Sequence, residues 1–212
     1  MTDLSWTRPA SRVLAFGAHP DDLEVGAGGL LARLVRQGAS VVAAVVSVPS
    51  ELDDRVREAE AGARVLGVEL ALLNRDKRCR VEDLPMYELV RQLDAIVNDV
   101  RPDLVVTHSA HDLHWDHGLV HRATVSSLRR WSCDLLAYLS SYEMNAQLSS
   151  RAMGPCFADV SDTIETKLEA IRAHRTQLPK MDVESTRDLA RAMGRLAGVD
   201  YAEAYEVLRL RF

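Results

Sequence analysis

Two short stretches hold most of the residues able to do chemistry. The first, His19-Pro20-Asp21-Asp22-Leu23-Glu24, sets one imidazole beside two adjacent carboxylates, a few residues after the apolar run Val13-Leu14-Ala15-Phe16. The second, His111-Asp112-Leu113-His114-Trp115-Asp116-His117-Gly118-Leu119-Val120-His121, gathers four of the chain's seven histidines into eleven residues and interleaves them with aspartates. Imidazoles mixed with carboxylates are first-choice ligands for transition metals. Zinc hydrolases hold the metal with three protein ligands and leave a fourth position for water. His19 and Asp22, at i and i+3 in a tight turn, can converge on one point, and His117 is the expected third ligand. His121 lies one helical turn beyond His117 and is the rival ligand. No Glu follows His117 as it would in a zincin motif, so His121 is favoured as a residue that orients a ligand.

Adjacent aspartates cannot easily both ligate one metal through the same turn. Asp21 is therefore free to act as general base on a water whose pKa a zinc ion lowers to about 7. His114 is expected opposite, protonated, stabilising the oxyanion or protonating the leaving group, with Asp112 and Asp116 holding it in its working tautomer. The run Gly26-Ala27-Gly28-Gly29 is no phosphate loop: the G-x-G-x-x-G spacing is missing, and Asp21, Asp22 and Glu24 would repel a pyrophosphate. Its glycines suit a tight turn or close packing of a helix on a sheet.

These residues need elements to position them. Residues 12 to 17 read as a buried strand, and Leu23 to Gln37 as a loop turning into a helix with Leu30, Leu31, Leu34 and Val35 on one face. Val41 to Val46 is a β-branched and small apolar run, as in a parallel strand covered on both faces. Helices are expected over Asp53 to Gly67, Leu84 to Val100 and His117 to Arg130. Glu69 to Leu73, Leu104 to His108 and Leu135 to Tyr142 fit the third, fourth and fifth strands. Cys156 to Val160 and Tyr201 to Leu208 fit the last two. Asp162 to His174 reads as a helix capped by Ser161 or Asp162, and Val183 to Leu196 as another. Alternating strands and helices imply an α/β domain with a mainly parallel sheet. With strand order 3-2-1-4-5, both chemical stretches follow neighbouring strands at the topological switch point, where such sheets bind ligands.

At 212 residues one domain is expected. A net charge of -5 gives no electrostatic footprint for nucleic acid. No run approaches the about 18 apolar residues of a membrane span, and Met1 to Trp6 lacks the basic start and apolar core of a signal peptide. Cys79, Cys133 and Cys156 are odd in number and widely spaced, which suggests reduced thiols and a cytoplasmic location. Arg75-Asp76-Lys77-Arg78-Cys79-Arg80 is a basic cluster expected after the third strand, on the site's face, where it could bind a substrate carboxylate or phosphate. Nothing in the sequence fixes an oligomeric state.

Together, Ala18-His19-Pro20-Asp21-Asp22 with Glu24, and His114-x-Asp116-His117-x-x-x-His121, resemble the PIG-L/LmbE-like family of metal-dependent deacetylases. Weaker echoes are Arg55-x-x-Glu58-Ala59, Lys167 to Gln177 and Tyr201-Ala202-Glu203-Ala204. The resemblance implies a Rossmann-like, single-domain, three-layer α/β/α fold over residues 1 to 212. It implies Zn2+ held by His19, Asp22 and His117, with Fe2+ or another divalent metal as the alternative. It implies Asp21 as base, His114 as acid or stabiliser, and Arg55 near the substrate. The implied reaction removes an acetyl group from an N-acetylated sugar or related small-molecule amide, such as a natural-product conjugate. Where some members carry a tyrosine, this chain has Asp112. Two other readings compete. A non-haem Fe(II) oxygenase could use two histidines and a carboxylate, though usually on an all-β barrel. A non-catalytic metal- or ligand-binding module could share the fold, though it would have no use for an uncommitted Asp21.

Overall fold

The computed structural model describes residues 10–75, 79–138 and 156–211. Its strands are β1 (Arg12–Gly17), β2 (Ser40–Val45), β3 (Glu69–Leu72), β4 (Leu104–His108), β5 (Asp134–Tyr138), β6 (Cys156–Asp159) and β7 (Ala202–Arg209). Its α-helices are α1 (Asp22–Arg36), α2 (Leu52–Leu66), α3 (Met86–Val100), α4 (Trp115–Ser127), α5 (Ile164–Arg172) and α6 (Val183–Ala197). The strands form one sheet in the order β3-β2-β1-β4-β5-β7-β6. The first five are parallel, and β7 runs antiparallel to both β5 and β6. The expected 3-2-1-4-5 order is present, extended by an antiparallel edge. The last four residues proposed for the fifth strand, 139 to 142, lie outside the described residues.

Alternation along β1 shows why the sheet is covered on both faces. Leu14 and Phe16 join Val42 and Val105 against Leu89, Leu93, Val97 and Val120 of α3 and α4. Val13 and Ala15 join Val41 and Val106 against Leu30, Leu31 and Leu34 of α1. Such two-sided burial explains the near-continuous apolar strands. Among the described residues, no helix is long and apolar enough to cross a membrane.

The glycines of α1 serve packing, not phosphate. A Cβ on Gly26 would collide with the Tyr138 ring, and one on Gly29 would sit 2.7 Å from Val160 Cγ1. The helix is thereby drawn close to β5 and the β6–α5 connection. On the same side, the buried Glu203 of β7 accepts hydrogen bonds from Gly29 N (2.9 Å), Leu30 N (2.8 Å), Lys167 Nζ (2.6 Å) and Tyr205 Oη (2.7 Å). The cap expected at Ser161 or Asp162 is displaced, because α5 starts after Thr163. Ser161 Oγ donates instead to Asp159 (2.6 Å), and Thr163 Oγ1 donates to Gly29 O (2.8 Å).

At the switch point β1 and β4 are in register only over Val13↔Leu104, Leu14↔Val105 and Ala15↔Val106. Beyond these pairs the strand ends part, and the two chemical loops leave from the opening.

Candidate metal centre

The first loop separates its two aspartates. Asp21 is the residue before α1 and has φ 103°, a left-handed conformation that a non-glycine residue adopts at a cost. Its side chain lies beside Arg55 of α2, with Oδ1 3.3 Å from Nη2, and the same Nη2 donates to Pro20 O at 2.6 Å. Asp22 faces the opposite way, its Oδ2 accepting from His19 N at 2.7 Å and its Oδ1 lying 3.3 Å from His117 Nε2. Adjacent carboxylates thus reach different neighbourhoods.

The second loop stacks its imidazoles. His117 is fully buried in the first turn of α4, with His108 on one side at 3.9 Å between ring centroids and His114 on the other at 4.4 Å. His117 Nδ1 sits 2.9 Å from Asp112 Oδ2. His19 Nε2 lies 3.0 Å from Asp116 Oδ2. Among the described residues two overlapping donor clusters result, His19–His114–His117 and Asp22–His108–His117, each with its ligand atoms within 4.8 Å of one another. His117 belongs to both.

Charges follow from this packing. Burial pushes the Asp22 carboxyl up, but His117 and His108 outweigh it and hold it well below the usual carboxylate range. Burial opposes a charge on His117, yet Asp22 and Asp112 raise its pKa to about 10. Asp21 behaves differently: burial and the Asp22 charge lift it to about 7, against Arg55 and His174. Burial and the His117 charge lower His114. Its Nδ1 accepts from Asp116 N at 3.2 Å, which leaves the ring proton on Nε2.

The donor set suits a divalent transition metal. His117 Nε2 is buried without a hydrogen bond of proper geometry, and converging imidazole nitrogens and carboxylate oxygens suit zinc or iron(II). Residues 14–128, which contain both loops, match the profile of PIG-L, GlcNAc-PI de-N-acetylase. The chain belongs to the PIG-L family. It is 28% identical over 185 residues to the uncharacterized deacetylase YaiS of Escherichia coli K12, covering 82% of this chain and 95% of that one. It is 29% identical over 225 residues to the diacetylchitobiose deacetylase of Thermococcus kodakarensis, covering 91% and 81%. The conserved protein TT1542 of Thermus thermophilus shares the fold, with TM-score 0.80, 24% identity and coverage of 95% and 96%.

Several supporting residues of the PIG-L site stand elsewhere than expected. Asp112 does not orient the ring of His114; its Oδ1 accepts from His114 N at 3.0 Å while Oδ2 backs His117. The carboxylate of Asp116 lies against His19, and only its backbone N–H meets His114. His121 belongs to neither donor cluster; its Nδ1 lies 2.8 Å from the carbonyl oxygen of His108, a member of one of them. Burial and the His117 charge work against the protonated form of His114 expected from the sequence, and with Nδ1 accepting from Asp116 N the nitrogen left to donate is Nε2. Arg55 is buried, with Nη2 donating to Pro20 O and lying 3.3 Å from Asp21 Oδ1. Arg75 and Arg80 pair with Glu60 (2.8 Å) and Glu82 (3.1 Å), while Asp76, Lys77 and Arg78 lie outside the described residues. His108 was missed as part of the site. Its signal was a histidine closing the strand Leu104-Val105-Val106-Thr107 at the switch point.

Because Asp112 fixes the ring that faces Asp22, Asp112→Ala should weaken zinc binding about 10- to 100-fold in a chelator competition. Wild-type affinity in that variant would show that His117 needs no carboxylate at Nδ1.

Proposed function

We propose that this PIG-L chain hydrolyses the amide of a small N-acetylated substrate, a sugar derivative or related conjugate, to acetate and a free amine. Two of the three proteins named above, YaiS and the Thermococcus kodakarensis protein, are called deacetylases, the second of diacetylchitobiose. The observation that carries the reading is the division of labour between adjacent aspartates: Asp22 stands among imidazoles, and Asp21 stands apart on Arg55.

In this reading a divalent metal, Zn2+ or Fe2+, is held by His117, the residue common to both donor clusters, together with His19 from one cluster and Asp22 from the other. Such an ion, when bound, supplies Lewis acidity to the substrate carbonyl and to the attacking water. Asp21 takes one proton of the water and later gives it to the departing nitrogen, so the amine leaves neutral; the water's other proton stays on the acetic acid, which ionises to acetate on release. Arg55 keeps the Asp21 carboxylate aimed. His114, through Nε2–H, donates to the carbonyl oxygen as it gains negative charge. Asp112 and Asp116 back His117 and His19. The rival oxygenase reading lacks its usual all-β frame. The binding-module reading leaves unexplained a buried carboxylate set beside the donor clusters and outside them. Cys133 and Cys156 carry free thiols, which supports a reducing, cytoplasmic setting.

The test pairs metal content with acetate release from N-acetylglucosamine and N,N'-diacetylchitobiose, before and after chelation. Metal-replete protein should release acetate, and chelated protein should regain turnover on adding Zn2+ or Fe2+. Metal-replete protein inert toward a broad panel of N-acyl amides would favour a binding module.

A further inference from the structure

His108 has no part in the chemistry just described, yet it is fully buried at the centre of the site. It closes β4 where pairing with β1 has already ended, since the register stops at Ala15↔Val106 while β1 runs on to Gly17. Its ring fills the opening. Nε2 accepts from Ala18 N at 3.0 Å, a bond that replaces the lost ladder. The same nitrogen is 3.3 Å from Asp22 Oδ2 and 3.0 Å from Tyr138 Oη, a hydroxyl that also reaches Phe16 O at 3.0 Å. One face stacks on His117 at an interplanar angle of 18°. The residue's carbonyl is the partner of His121 Nδ1.

A lone pair that receives a backbone N–H cannot also bind a metal, so Nε2 is a support and not a ligand. We propose that His108 is a positioning residue of the metal centre, a wedge that ties the His19–Asp22 loop of β1 to His117 of α4 across the switch point. This rests on the metal-centre reading above. Two functions are combined in one ring. The acceptor fixes Ala18, the neighbour of His19, and the flat face fixes the plane of His117.

Two substitutions separate those functions. His108→Phe keeps a ring to stack on His117 but offers Ala18 N–H no acceptor; His108→Gln keeps a polar end at the reach of Nε2 and loses the ring. Zinc affinity is measured by chelator competition well below the unfolding temperature of each metal-free protein. Thr124→Val is the control, because it removes a buried bond to Thr107 Oγ1 of 3.1 Å without touching either donor cluster. His108→Phe should lose about 10- to 100-fold in zinc affinity, the usual effect of removing a support behind a ligand. His108→Gln, which restores an acceptor but not the ring, should bind more tightly than His108→Phe and more weakly than wild type, and Thr124→Val should bind like wild type even if it melts earlier. Wild-type affinity in His108→Phe, or a Gln variant as weak as Phe, would overturn the proposal alone. A wild type that binds neither Zn2+ nor Fe2+ would overturn the metal centre and this inference with it.

Discussion

Asp21→Ala should keep its fold and its metal and lose about 10²- to 10⁴-fold in kcat, the usual contribution of a positioned proton acceptor. Metal is retained because the Asp21 carboxylate is engaged by Arg55 and lies outside both donor clusters. Asp21→Asn is the sharper variant, since its amide can still accept from Arg55 but cannot take a proton. The group works only when ionised. Burial and the Asp22 charge lift its pKa to about 7, and a bound cation lowers it from there, so turnover should fall as pH drops through a value at or below about 7. The sign for stability is opposite. A folded-state pKa above the unfolded value of 3.8 means the native state binds this proton more tightly, so stability is lost as pH rises from near 4 toward 7. Metal-free Asp21→Asn should accordingly unfold at higher urea than wild type at neutral pH. Wild-type turnover in either variant would remove Asp21 from the chemistry.

Glu203→Leu should cost about 3–5 kcal/mol of folding stability, because it breaks a buried pair and leaves one charge behind. The ammonium of Lys167 is buried, and Glu203 is its partner at 2.6 Å. Gly29 N, Leu30 N and Tyr205 Oη lose their acceptor at the same time. Burial, reinforced by the Glu203 charge, also holds the Tyr205 phenol well above its usual range, so it remains a donor. Urea unfolding of Glu203→Leu, Lys167→Met and the double variant would measure the effect. The double variant should recover much of the loss, because no lone charge is left. A Glu203→Leu protein with the wild-type midpoint would show that the cluster contributes nothing net.

The parts of the molecule legible in the sequence are those that periodicity or local spacing governs. Leu89, Leu93 and Val97 announce the buried face of α3, and the run Val41 to Val45 announces a strand covered on both sides. Placing both loops at the switch point needed only strand order and short connections. What sequence could not supply is which carboxylate meets which imidazole. The helix after the second loop begins at Trp115, two residues earlier than the pattern suggested, which sets His117 in the first turn and turns its Nδ1 to Asp112. The resemblance puts Arg55 near the substrate, but its pairing with Asp21 follows only when α2 is laid beside the left-handed turn there. Glu203 and Lys167 were visible only as fragments of motif, because ion pairs between distant residues leave no spacing rule.

The seam between β7 and α1 also has a temporal meaning. Glu203 bonds Gly29 across 174 residues of chain, so the helix that presents Asp22 is made long before the strand that caps it. At about 5–20 residues per second of synthesis, that interval is on the order of 10 s. During it, α1 and the parallel strands can associate, but the glycine-notched side of the helix stays uncovered. Burial of that side of α1 is therefore a late event in the life of the nascent polypeptide, and such far-separated contacts make folding slow as well as late.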